Sequence, residues 1–121
     1  MTLQTNILAT IETGAVTILS SEVSHLAVGD GTSTPLVSQT ALDNETYRDA
    51  IFNTATTANT YTTSLYLDVT EANGSSIAEI GAFDSSSGAT MISRNLTNVA
   101  AKTSSKEFYY DVKFEVEALN N

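Results

Sequence analysis

The sequence predicts a mainly β domain, an antiparallel β-sandwich or small barrel of about six to seven short strands with a short N-terminal helix. Three observations carry this. Glu107 to Glu117 place Phe108, Tyr110, Val112, Phe114 and Val116 on one side of an extended chain, and Glu107, Tyr109, Asp111, Lys113, Glu115 and Glu117 on the other. Successive side chains of a strand point to opposite faces, so this is an apolar stripe against a core with a charged stripe in water. Tyr61, Leu65, Leu67 and Val69 alternate in the same way with Thr62, Ser64, Tyr66, Asp68 and Thr70. Third, glycine-containing turn signals separate such runs: Asn73-Gly74, and Asp84-Ser-Ser-Ser-Gly88.

From the amino end, Leu3, Ile7, Leu8 and Ile11 stand at helical spacing, with Thr2 as a cap and Gly14 as the stop, so a helix is expected over residues 1–14. Such a helix either packs on the sheets or reaches a neighbouring subunit. Val16 to Ile18 reads as a short strand or extended lead, and Val23 to Gly29 as a β-branched strand closed by glycine. Gly29 to Thr40 is a loop, punctuated by glycine and the single proline. A helical turn is expected over Ala41 to Glu45, a strand over Tyr47 to Asn53 and a polar hairpin connection over Thr54 to Thr60. Asn-Gly favours a type I′ turn, so Thr60 to Glu71 is expected to pair with Ile77 to Asp84. The serine-rich turn leads to a strand over Thr90 to Leu96, and a polar segment at 101–106 leads to the last strand. The expectation is one domain, 1–121, with its β core at 23–117.

A chain of 121 residues can bury roughly two-thirds of the surface that its unfolded form exposes, enough for independent folding. It has no cysteine, which rules out disulfides and thiolate metal sites. Fourteen acidic against five basic side chains give a formal charge of -9, which opposes binding to nucleic acid or anionic membrane. Neither a bilayer-spanning run nor a basic, apolar leader is legible, so the chain reads as soluble and made inside a cell. The acid excess fits a halophilic host with high internal salt, or ordinary solubility; stability in molar salt distinguishes the two. Serine, threonine and asparagine fill 42 positions, spread through strands and turns as suits an exposed β surface.

No catalytic set, cofactor site or metal site is expected. Gly29 and Gly31 flank Asp30 where the chain leaves a strand, a tight turn with unusual φ in which the aspartate bonds nearby amides. Asp30 and Asp84 lack the clustered carboxylates of a calcium or magnesium cage. The only arginines, Arg48 and Arg94, and Glu79 form a candidate ion pair, Glu79 with one of the two, against the bland alternative of solvated side chains. His25, the sole histidine, reads as a packing or hydrogen-bonding residue, because no nucleophile is assigned to it by motif. The sequons at Asn44, Asn73 and Asn95 are as many as chance supplies in so hydroxyl-rich a chain.

Two blocks carry a resemblance. His25-Leu-Ala-Val-Gly-Asp-Gly-Thr-Ser-Thr-Pro35 with Thr40-Ala-Leu-Asp-Asn-Glu-Thr-Tyr-Arg48, and Glu79-Ile-Gly-Ala-Phe-Asp-Ser-Ser-Ser-Gly-Ala-Thr-Met-Ile-Ser-Arg94 with Lys102-Thr103, resemble small structural domains of tailed viruses of bacteria and archaea. Such domains occur in tail-fibre, tail-associated and virion-surface proteins. The resemblance covers roughly Ser24 to Val116 and implies a non-enzymatic virion protein. It would be a capsid decoration, turret or tail-associated subunit that self-assembles as a homo-oligomer and docks on major capsid or tail proteins at the particle exterior, without nucleic acid or membrane as partners. The alternative is a receptor- or carbohydrate-binding module of a tail fibre, with Tyr47, Tyr66 and Tyr109 stacking on sugar rings. A small glycan depolymerase stands behind both, because paired carboxylates at a cleft cannot be placed.

Overall fold

The computed structural model describes residues 14–88 and 90–116. A helix, α1, covers the described residues 14–22, and seven strands follow: β1 His25–Gly29, β2 Glu45–Ala50, β3 Asn53–Thr56, β4 Thr60–Leu67, β5 Ser76–Phe83, β6 Met91–Ala101 and β7 Phe108–Glu115. They form two antiparallel sheets, one in the order β2-β1-β5-β6 and the other β3-β4-β7. The predicted mainly β architecture is a sandwich of these sheets, open along both sides.

The core lies between the sheets. β4 alternates buried and half-buried residues along its length, sending Tyr61, Thr63, Leu65 and Leu67 inward. They meet Leu26 and Val28 of β1, Ile77, Ile80 and Ala82 of β5 and Val112 of β7. Phe108, Tyr110, Phe114 and Val116 complete the expected β7 stripe as half-buried residues packed on this cluster, with Phe114 stacked on Tyr61 at 6.2 Å between centroids. Val16, Leu19 and Val23, at i, i+3 and i+7, add the apolar face of α1.

Five expectations are corrected. Val16 to Ile18 is helical, because the spacing of Val16, Leu19 and Val23 on one helix face outweighs the strand preference of β-branched residues. Gly14 does not stop a helix but lies in α1; the rest of the helix expected over 1–14 lies outside the described residues. Residues 41–44 are bends instead of a helical turn, since their amides bond a distant carboxylate. The strand expected over 47–53 breaks at Ile51 and Phe52, whose amides bond Ser24 and Ser64 in different sheets, so this is where the chain crosses from one sheet to the other. Finally, Asn73-Gly74 does not close a hairpin. β4 pairs with β3 and β7, β5 pairs with β1 and β6, and residues 68–75 arch between the sheets.

Two polar staples hold that arch. The Tyr47 hydroxyl donates to Glu71. Lys102, buried to 1% exposure, donates from Nζ to Asn73 Oδ1 at 2.9 Å and to the Thr103 carbonyl at 3.1 Å, while Gly74 N donates to its backbone carbonyl. The other turn signal does mark a hairpin: β5 and β6 pair across residues 84–90.

Candidate functional site

The central part of the outer face of the four-stranded sheet is covered by the chain's own long loop. Residues 30–44 join β1 to β2 and fold back so that Leu42 packs on Ala27, Phe83 and Met91. β5 is therefore buried on both faces from Ile77 to Phe83. A loop of this length needs internal bonds to hold one conformation, and Glu79 supplies them from the sheet beneath. Its side chain is completely buried. Oε1 accepts from Asp43 N at 3.0 Å and Arg94 Nε at 2.7 Å; Oε2 accepts from Gly31 N at 2.8 Å and Asn44 N at 3.0 Å. Burial pushes this carboxyl up, but the bonds from Arg94 and the amides of Asn44, Asp43 and Gly31 outweigh it and hold its pKa below the ordinary value.

Arg94 continues the network outward. Its Nη1 donates to the Ser33 carbonyl at 2.8 Å and its Nη2 to Asp43 Oδ2 at 3.1 Å. The Ser33 hydroxyl also donates to Asp43, and this bond, with the Ser33 amide, Arg94 and Gln39, outweighs the upward push of burial and holds the Asp43 carboxyl below its ordinary pKa. Of the two arginines, the sheet therefore brings Arg94 to Glu79. Arg48 instead grips Glu45 at 2.7 Å, lies over the Phe83 ring at 3.7 Å, and donates to the carbonyls of Ser85 and Gly88 in the β5–β6 turn.

The glycine expectation is corrected in mechanism. Among the described glycines only Gly74 and Gly88 have positive φ. Gly29 and Gly31 are needed for close approach: a Cβ on Gly29 would overlap the Asn44 carbonyl and stand 2.6 Å from Glu79 Oε2, and one on Gly31 would overlap Asp43. Asp30 bonds a side-chain amide, Asn44 Nδ2 at 2.6 Å, while its own amide donates to the Asn44 carbonyl. The quoted blocks thus converge on one unit, a loop clamped on a sheet.

What the clamp presents is apolar. Leu36 and Val37, at the loop's tip, are exposed, Val37 fully. A second exposed feature crosses the outer face of the three-stranded sheet, where Tyr66 and Tyr109 face each other across β4 and β7 with ring centroids 4.6 Å apart and Phe52 stands 5.2 Å from Tyr66. The Tyr66 hydroxyl donates to Glu107 Oε2 at 2.7 Å, which together with burial raises its pKa to about 12. Tyr47, expected in such a group, lies elsewhere, half-buried against the core, and Phe52, which sequence reasoning missed, takes its place. Beside Tyr109, between the edge strands β6 and β7, runs a cleft of about 430 Å³.

The sole histidine, His25, has Nδ1 2.8 Å from Ser24 Oγ, a contact between chain neighbours. Among the described residues no three His, Cys, Asp or Glu side chains gather so as to hold a metal ion, and no helix is long and apolar enough to cross a membrane. The side chains of Asn44 and Asn73 are both engaged in the networks above, and Asn95 lies exposed on β6. Neither family models nor curated proteins match this chain.

Proposed function

We propose that this chain is a non-enzymatic structural module that works by association, with copies of itself and with larger assemblies, and that its setting is the exterior of a tailed-virus particle, as a capsid-surface or tail-associated subunit. The carrying observation is the clamp. A buried carboxylate, a buried guanidinium and three backbone amides are spent on fixing a loop whose tip is apolar and solvent-facing. Surface loops carry function, and a loop fixed before binding loses little conformational entropy when a partner covers it. The viral setting rests on the two sequence blocks quoted above.

A second reading, a carbohydrate-binding module, is favoured by one observation: the Phe52, Tyr66 and Tyr109 rings cluster on one sheet face, next to the Glu107 carboxylate. Light scattering on the purified chain and a glycan array separate the two. A defined oligomer without sugar binding supports association; a monomer that binds a defined glycan, losing it in Tyr109→Ala, supports the second reading and refutes the first.

A further inference from the structure

A chain with a formal charge of -9 repels its own copies, so self-association is favoured at surfaces poor in carboxylates. Two described surfaces come nearest to that. The loop from Gly31 to Leu42 contains no charged residue and ends in the exposed pair Leu36 and Val37. Its base is rigid: Arg94 holds the Ser33 carbonyl, Gln39 Nε2 donates to Asp43, and Gln39 N closes a turn on the Leu36 carbonyl. The second is the cleft between β6 and β7, walled by Ala100, Phe108, Tyr109 and Tyr110, with Thr97 and Asn98 on the β6 side. From Asn95 to Ala101, β6 carries no charge. One carboxylate, Glu107, also lines the cleft and accepts from the Tyr66 hydroxyl.

The cleft is an unfinished part of the core. β6 and β7 are the edge strands of their sheets on this side; no described strand lies between them, and the 102–107 connection joins them at one end only. Phe108 and Tyr110 are only half-buried there, and Thr97 Oγ1 is buried without a hydrogen-bond partner. Open sandwich seams of this kind accept apolar insertions and edge contacts from another chain.

We propose that the Leu36-Val37 tip of one copy seats in the β6–β7 cleft of another. The proposal rests on the association reading and names its contact. Knob and cleft belong to different patches of one chain: the loop lies beside the Met91 to Asn95 part of β6, and the cleft beside Thr97 to Ala100. Each subunit therefore offers one donor and one acceptor surface, the requirement for a reciprocal pair or a ring.

The test is molar mass by light scattering on the full chain, with circular dichroism as the folding check. Val37→Asp, at a fully exposed position, and Asn98→Trp, which fills the cleft, should each fold and weaken association at least tenfold, while Ile18→Asp on exposed helix surface should leave it unchanged; Asn98→Phe replaces the Trp variant if that one unfolds. Mixing the two weakened variants should give more dimer than either variant alone, because one still has its cleft and the other its knob. A wild-type oligomer that survives Val37→Asp or Asn98→Trp overturns this contact and leaves association standing. A wild-type chain that stays monomeric at millimolar concentration overturns both.

Discussion

Replacing Arg94 by methionine tests the clamp at its centre. The substitution keeps much of the volume and removes three donor groups from Glu79, the Ser33 carbonyl and Asp43. Removing one partner of a buried ion pair costs about 3–5 kcal/mol, because the other charge stays buried. Here Glu79 retains three amide donors, which places the expected loss near the lower end, about 3 kcal/mol, a large part of a total stability of about 5–15 kcal/mol. Urea unfolding followed by circular dichroism reads the loss directly. The pH dependence gives a second readout. The folded pKa of Glu79 lies below its ordinary 4.5, so its contribution is complete above that pH and drains away as pH falls through the folded value. Arg94→Met raises the folded pKa, and acid unfolding should begin at a higher pH. Glu79→Gln should also destabilise. Each carboxylate oxygen accepts two N–H groups, so in either orientation the new amide NH₂ faces two donors, at a cost of about 2–3 kcal/mol. A loss below about 1 kcal/mol for Arg94→Met, with an unchanged acid midpoint, would refute the clamp.

Phe114→Asp puts a charge beside Tyr61 in the core and should abolish the folded circular dichroism spectrum, whereas the outward Glu115→Lys should fold normally; equal behaviour of the two means the facing of β7 is wrong. Gly31→Ala should cost about 1–3 kcal/mol in urea unfolding, because its Cβ meets Asp43 and the Glu79 carboxylate, while Gly14→Ala, with open space around it in α1, should be neutral or stabilising by up to about 1 kcal/mol. Tyr66 should ionise near pH 12 in an ultraviolet absorbance titration, and Glu107→Gln should bring its pKa down toward 10; a Tyr66 that titrates normally in the wild type breaks the hydrogen bond assigned to it.

The mainly β class and the facing of β7 were legible because alternation is a local signal, written in residues that are neighbours in the chain. The hairpin reading of Asn73-Gly74 failed for a physical reason. A type I′ turn needs positive φ at both central residues, and in this arch the positive values fall on Ala72 and Gly74. The competing influence is remote: Lys102, from the far end of β6, bonds Asn73 and receives Gly74 N, and no short window around the turn contains it. The clamp was half-legible. Glu79 was expected to pair with one of the arginines on guanidinium–carboxylate chemistry alone; the signal left unused is that it is the one charge in the otherwise apolar run Ile77 to Phe83, the signature of a buried and therefore satisfied carboxylate. Its choice of Arg94 over Arg48 follows from strand register, which sets Gly81 opposite Arg94 and Ala27 opposite Arg48. The aromatic face was missed in part because Phe52 lies at the crossover between sheets, where alternation gives no facing.

Three staples built on a cation, at Glu79 with Arg94, at Arg48 and at Lys102, each fix a connection instead of a strand: the 30–44 loop, the β5–β6 turn and the arch between sheets. Strands are already fixed by their ladders and by the apolar core, so buried charge adds most where the backbone has no ladder of its own. Of the five cations in the chain, these staples take Arg94, Arg48 and Lys102, leaving Lys106 and Lys113 against the exposed carboxylates. The same staples engage the carboxylates of Glu79, Asp43 and Glu45, so the strong net negative charge remains, and an acidic surface selects which patches copies can bring together. Uncharged stretches are then the places where contact costs least, and the two apolar ones, the loop tip and the β6–β7 seam, are each held in place by strands or staples before a partner arrives.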